Sequence, residues 1–167
     1  ESPEHLVGHV HHLPVFLIEG REGADVPGEL SLEQIRGQAQ ANMIETEDAV
    51  DPHLKIPIYS LYSSKTRTPT EQMLDEIDCL VIDLQEVGTR VYTFSTTMGF
   101  CLEAAAQYNK KIVILDRPNP VNGEQVEGNL LKEKLRSFVG YHPMPMRHGM
   151  TMGELARFFN EERKIGA

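Results

Sequence analysis

Ile77-Asp78-Cys79-Leu80-Val81-Ile82-Asp83-Leu84, followed at once by Gln85-Glu86-Val87-Gly88-Thr89-Arg90, decides the fold of this chain. A short apolar run bounded by polar residues predicts a strand over 77–84, buried in a sheet. Lys111-Ile112-Val113-Ile114-Leu115 repeats the pattern and runs into Asp116-Arg117-Pro118-Asn119-Pro120. Between the two, Phe94, Met98, Cys101, Leu102 and Ala105 recur at three- and four-residue steps. That spacing predicts a helix from about Thr93 to Tyr108, ended by Asn109-Lys110. Strand, helix and strand make a βαβ unit whose crossover is expected to be right-handed. The polar clusters then leave the carboxyl edge of a parallel sheet, where α/β proteins bind ligands.

Outward from this unit the alternation continues, predicting an α/β class with a mostly parallel sheet. Pro57-Ile58-Tyr59-Ser60-Leu61-Tyr62 reads as an earlier strand. Thr68-Pro69-Thr70-Glu71 reads as a helix start, with Thr68 as cap, Pro69 in the first turn and Glu71 closing a capping box. Met73, Leu74 and Ile77 would share its apolar face. His142-Pro143-Met144-Pro145-Met146 is a candidate short strand, and Asn122 to Gly128 a candidate hairpin. Thr151-Met152-Gly153-Glu154 is a second capping box, opening a helix with Leu155, Phe158 and Phe159 on its apolar side. The run into Lys164-Ile165-Gly166-Ala167 resembles the approach to a further strand, as expected of the front portion of a longer protein. Before residue 55 the alternation is lost, although Pro14-Val15-Phe16-Leu17-Ile18 could be an edge strand.

Charge and composition exclude several functions. The formal net charge is −9, which argues against nucleic acid and anionic membrane surfaces as partners, since both reward clustered Lys and Arg. No apolar stretch approaches the roughly 20 residues that cross a bilayer, and no signal peptide is visible from Glu1 to His12. Cys79 and Cys101 are expected as buried free thiols, which leaves the compartment open. The glycines form neither a G-x-G-x-x-G nor a phosphate-loop pattern, so nucleotide binding lacks its signature. His5, His9, His11 and His12 sit near metal-ligand spacing, but without a following carboxylate they read as a solvated terminus.

If the sheet is parallel, the loops 85–92, 116–129 and 147–150 share one rim. They gather Asp83, Gln85, Glu86, Arg90, Tyr92, Asp116, Arg117, Asn119, Glu127, Arg147 and His148. Carboxylates, amides and guanidinium forks can bind sugar hydroxyls and acetamides in pairs, and paired carboxylates can do general acid/base work. Structural readings stand beside these. Asp83 and Asp116 could accept turn N–H groups, Arg90 and Arg117 could pair with those aspartates, and Asn119 between prolines is a turn former. Glu127 could be a surface residue of a hairpin, and His148 could cap or pack.

Several motifs, in order, resemble the exo-β-N-acetylmuramidase family of bacterial glycoside hydrolases. They are Ile58-Tyr59-Ser60-Leu61-Tyr62, the stretch from Asp83 to Thr93, Leu115-Asp116-Arg117-Pro118-Asn119-Pro120, Val126-Glu127-Gly128, Arg136-Ser137-Phe138-Val139-Gly140 and Arg147-His148-Gly149-Met150-Thr151. The resemblance runs from about Ile35 to the last residue. It implies a Rossmann-like, three-layer amino-terminal domain over 35–167, preceded by an irregular or foreign segment over 1–34 and truncated before a carboxyl-terminal domain. It implies release of N-acetylmuramic acid from the non-reducing end of peptidoglycan fragments, with a muramic-acid saccharide or muropeptide as partner and no cofactor or metal. Members are often exported. Glu127 is the implied catalytic carboxylate, with Asp83, Gln85, Arg90, Tyr92, Asp116, Arg117, Asn119 and His148 lining the sugar site. The family's Glu-His-Gly group, expected just before Ile35-Arg36-Gly37, is replaced by Leu32-Glu33-Gln34. A similar Ser2-Pro3-Glu4-His5 lies far upstream and makes Glu4 the candidate catalytic partner. A non-catalytic sugar-binding module, or an inactive relic of the family, is the alternative.

Overall fold

Apolar burial organises the chain around a parallel strand pair. The computed structural model describes residues 48–50, 57–62, 65–75 and 77–167. Strands β1 (Ala49–Val50) and β2 (Pro57–Ile58) pair antiparallel. A short helix α1 (Glu71–Leu74) leads to β3 (Cys79–Ile82), the long helix α2 (Thr93–Gln107), β4 (Lys111–Ile114), a 3-10 turn (Glu133–Leu135) and helix α3 (Met152–Glu162). β3 and β4 are parallel and in register, with Leu80 opposite Ile112 and Ile82 opposite Ile114. The α/β class and the parallel βαβ unit expected from the two apolar runs are therefore present.

The core lies on one face of that pair. Leu80 and Ile82 are buried against Met98, Cys101, Leu102 and Ala104 of α2 and Leu155, Ala156 and Phe159 of α3. α2 is buried almost all round in its first half, from Ser95 to Gly99. Gly99 lets Tyr141 lie directly on the helix, since a Cβ there would stand 2.5 Å from the ring. Asn109 ends the helix in the left-handed region, φ 51°, a conformation that Asn tolerates better than most residues. On the opposite sheet face Val113 and Leu115 are exposed, and no second helix layer covers them among the described residues. Cys101 is a buried free thiol and Cys79 is free and half-buried. Burial pushes the Cys101 thiol far above the ordinary range, so it is inert.

Four local expectations are corrected. The first helix begins after Thr70, not at Thr68. Thr66 Oγ1 donates to the Thr68 carbonyl at 2.7 Å and accepts the Thr68 N–H at 3.0 Å, closing its own turn. The Thr70 carbonyl takes the first helical N–H groups instead. Residues 142–146 form no strand, because Pro143 and Pro145 have no N–H to offer a ladder. Asn122 to Gly128 is not a hairpin. Asn122 Oδ1 accepts from Glu124 and Gln125 N–H, while Glu127 pairs across a long loop with Arg147. The strand expected over 57–62 is confined to Pro57–Ile58. The second capping box is present: Glu154 N–H donates to Thr151 Oγ1 at 3.2 Å, and Thr151 N–H to Glu154 Oε2 at 2.9 Å. The His5 to His12 group and the Val15–Ile18 run lie outside the described residues.

Candidate active site

The strand exits are joined by bonds from side chains to backbone, and these bring three loops together. After β3, Glu86 turns inward and is fully buried. Its Oε1 accepts the N–H groups of Val87 at 2.9 Å and Gly88 at 2.8 Å. The same oxygen lies 3.3 Å from Nε2 of His148, which is equally buried. His148 Nδ1 accepts the Met150 N–H at 3.2 Å. That bond fixes the proton on Nε2, which donates to Glu86. The pair ties the exit loop of β3 to the segment before α3.

Gly88 is needed at the centre of this junction. Its φ of 84° lies in the left-handed region, and a Cβ would run into Val121 and stand 2.8 Å from Asn119 Oδ1. Asn119 spans the gap from the other loop. Its Oδ1 accepts from Val121 N–H at 3.0 Å and its Nδ2 donates to the Met150 carbonyl at 2.9 Å. Gln85 Nε2 donates to the Glu86 and Pro118 carbonyls. Arg117 forms an ion pair with Asp83, both about 30% exposed at their side chains (29% and 28%).

Asp116 reaches the first turn of α3, an end rich in unsatisfied N–H groups. It accepts from Gly153 N–H and from Thr151 Oγ1, each at 2.7 Å. Gly153 is what admits it, since a Cβ there would stand 2.7 Å from Asp116 Oδ2. Arg90 is buried and donates through Nη1 to the carbonyls of Asn129 and Met144. Both of its partners lie on the connection that leads to Arg147.

Glu127 contrasts with the buried Glu86, Arg90, Asn119 and His148. Its backbone pairs with Arg147, N to O, at 3.0 and 2.9 Å, but its side chain is 64% exposed. One carboxylate oxygen accepts from Arg147 Nη1 at 2.8 Å, while the guanidinium also donates to the Val121 carbonyl. Arg147 in turn bridges to Thr89 on the β3 exit loop. The three loops read from the sequence as one rim are thus contiguous. Tyr92 lies beside them at the start of α2, its ring 4.4 Å from that of Phe94. Glu4 lies outside the described residues.

The division within the rim was not visible in the motifs. Arg90, Asn119 and His148 are buried and spend polar atoms on backbone and neighbouring loops; half-buried Gln85 and exposed Asp116 do so as well, while Glu127, Tyr92 and the Asp83–Arg117 pair keep partial exposure. Glu86 sits at the hub through burial, which an isolated acidic residue after a strand does not announce. Among the described residues no group of three or more His, Cys, Asp or Glu could hold a metal ion. No described helix is long and apolar enough to cross a membrane.

Comparison with known proteins places this chain in one family. The sequence profile described as Exo-beta-N-acetylmuramidase NamZ, N-terminal, matches residues 28–167, and the chain belongs to that family. It is 47% identical over 133 residues to the peptidoglycan beta-N-acetylmuramidase NamZ of Bacillus subtilis (strain 168), covering 80% of this chain and 32% of that protein. Two crystal structures of DUF1343 family proteins from Bacteroides fragilis are also similar. One is 47% identical with a TM-score of 0.65, over 69% of this chain and 30% of the other. The second is 45% identical with a TM-score of 0.61, over 68% and 30%. The chain therefore spans about a third of the length of the relatives it matches.

Proposed function

We propose that this chain contributes the amino-terminal, Rossmann-like part (residues 35–167) of a glycoside hydrolase that releases N-acetylmuramic acid from the non-reducing end of peptidoglycan fragments. The observation that carries this reading is the 47% identity to a protein named as a peptidoglycan beta-N-acetylmuramidase. The rim supports it, because it presents a carboxylate on a fixed backbone among amide, phenol and guanidinium donors suited to a sugar.

Glu127 is the proposed catalytic carboxylate. Its ladder with Arg147 fixes where it stands, while its exposure leaves it accessible to a glycosidic oxygen or a water. In the two-carboxylate scheme one group protonates the leaving oxygen while the other acts on the opposite face; the substrate's own acetamide is the alternative nucleophile. Glu4 is the proposed partner. Gln85, Tyr92 and the Asp83–Arg117 pair would meet the sugar, and Arg90, Asp116, Asn119 and His148 would hold the loops that carry them.

The test is release of free N-acetylmuramic acid from N-acetylmuramyl-β-1,4-N-acetylglucosamine by wild type and by Glu127→Gln. Wild-type release and a loss of at least about a hundredfold in the variant, the usual scale for a positioned acid or base, is the expected result. Equal rates remove Glu127 from the mechanism. Binding of N-acetylmuramic acid without turnover by wild type would instead favour a sugar-binding module.

A further inference from the structure

Asn122-Gly123 is the one asparagine–glycine pair in the sequence, and both residues are exposed. Asn122 stands in the left-handed region, φ 69°. Its Oδ1 accepts the N–H groups of Glu124 at 3.0 Å and Gln125 at 3.3 Å. Those two bonds fold the carboxamide forward along the chain, over the Gly123 peptide nitrogen that lies between. They also draw electron density from Cγ, and they would hold negative charge growing on Oδ1 as the donors of an oxyanion hole do. Among the described residues the Gly123 N–H has no acceptor, and glycine sets no Cβ beside it. The other described asparagines lack this combination. Asn119 is buried and precedes Pro120, which has no N–H. Asn160 lies in α3 with Nδ2 and Oδ1 both engaged by the last residues of the chain. Asn109 and Asn129 are followed by Lys110 and Leu130, whose side chains crowd the nitrogen.

The turn is part of the latch around Glu127. The Val121 carbonyl accepts from Arg147, whose guanidinium also binds the Glu127 carboxylate. Asn122 N–H donates to the Asn119 carbonyl at 3.2 Å. On its other side the turn abuts Gly149, since a Cβ on Gly123 would stand 3.2 Å from the Gly149 carbonyl oxygen. An added backbone atom at residue 122 therefore has no room without displacing the acceptor of Arg147.

We propose that Asn122-Gly123 is a site of self-modification, where Asn122 becomes isoaspartate or aspartate through a cyclic imide and the hold of Arg147 on Glu127 is loosened. The Gly123 nitrogen gives its proton to water or hydroxide and attacks Asn122 Cγ. A new N–C bond closes the imide, and the bond from Cγ to the amide nitrogen breaks, releasing ammonia. Water then opens the ring. Opening at the side-chain carbonyl leaves aspartate, and opening at the main-chain carbonyl leaves isoaspartate, whose backbone is longer by one methylene. Water is the only co-reactant. Neither step depends on the glycosidase reading above.

The experiment ages wild type in warm, mildly alkaline buffer and follows its peptides by mass spectrometry for the gain that marks amide replaced by acid. Asn122 should convert at least roughly tenfold faster than Asn109, Asn129 or Asn160, a barrier difference of about 1.4 kcal/mol. Labelling by an L-isoaspartyl methyltransferase should place isoaspartate at residue 122. Gly123→Ala, which crowds the attacking nitrogen, should slow the conversion; if that variant does not fold, the comparison among the asparagines of wild type decides. No conversion at Asn122, or a rate no greater than at the others, overturns the proposal. In the converted protein the Glu127 and Arg147 N–H groups, each bonded to the other's carbonyl, should lose protection from amide exchange while β3 keeps its own. Asn122→Asp, which adds the charge without the methylene, should lose less. Unchanged protection of Glu127 and Arg147 after full conversion overturns the link to Glu127.

Discussion

From Thr93 to Ile114 the chain is held by apolar contact, with Met98, Cys101 and Leu102 of α2 packed on Leu80 and Ile82 of β3. From Asp116 to Met150, apart from Tyr141 and Met144, which join that core, it is held differently. Every residue from 121 to 130 is exposed, and the segment keeps its course because Arg90, Asn119, Arg147 and the Glu86–His148 pair bind its backbone. The first region is a core whose contacts are many and individually replaceable. The second is a set of polar latches, each reaching a particular carbonyl or N–H. The candidate catalytic carboxylate stands on the second. A site built this way gains geometric definition without a core of its own, and its weak points are single side chains.

The largest effect should come from breaking the core. Phe159 is fully buried in the core, its ring 4.9 Å from that of Tyr141, and Phe159→Ala should cost about 3–5 kcal/mol. Thermal melting should fall sharply, with body and connection unfolding together. Loss confined to the connection would contradict the assignment of Phe159 to the shared core.

A latch should cost less and act locally. Arg90→Met removes a buried cation from the carbonyls of Asn129 and Met144 and should destabilise by about 2–3 kcal/mol, since two acceptors lose a charged donor. Amide exchange should show it most clearly: Leu131 N–H, bonded to the Met144 carbonyl at 3.3 Å, should lose protection while amides of β3 keep theirs. Uniform loss across both regions would show that Arg90 belongs to the body.

His142 gives the smallest effect and a sign. Burial lowers its pKa below the ordinary 6.5, with Arg136 lowering it further and Glu162 and Glu133 opposing. The folded chain therefore binds a proton more weakly than the unfolded chain. Its contribution to stability is fully present above about pH 6.5 and is lost as pH falls through the lowered folded value. His142→Gln should flatten the melting temperature between pH 7 and pH 5, and an unchanged slope would assign the acid sensitivity to other groups.

The body was legible in the sequence because burial leaves a periodic trace. The 77–84 and 111–115 runs, the three- and four-residue steps of α2 and the Thr151–Glu154 box each encode a local preference that packing reinforces. The connection leaves no such trace. Glu127 pairs with Arg147, and Arg90 with Asn129 and Met144, across separations that only tertiary structure brings together. Locally, Asn122 to Gly128 suggested a hairpin and 142–146 a strand; long-range latches and two prolines decided otherwise. Residue types in the rim were readable, but which of them hold loops and which face solvent was not. That depends on burial: Glu86 and His148 are wholly enclosed, while Glu127 is open.

The division of labour in the rim is tested most directly by measuring melting temperature and release of N-acetylmuramic acid on the same preparation of Glu127→Gln. An exposed pair contributes only about 0–1 kcal/mol to stability, so melting should move by a few degrees at most while turnover collapses. Undiminished turnover, or a fall in activity matched by loss of the fold, would contradict the account.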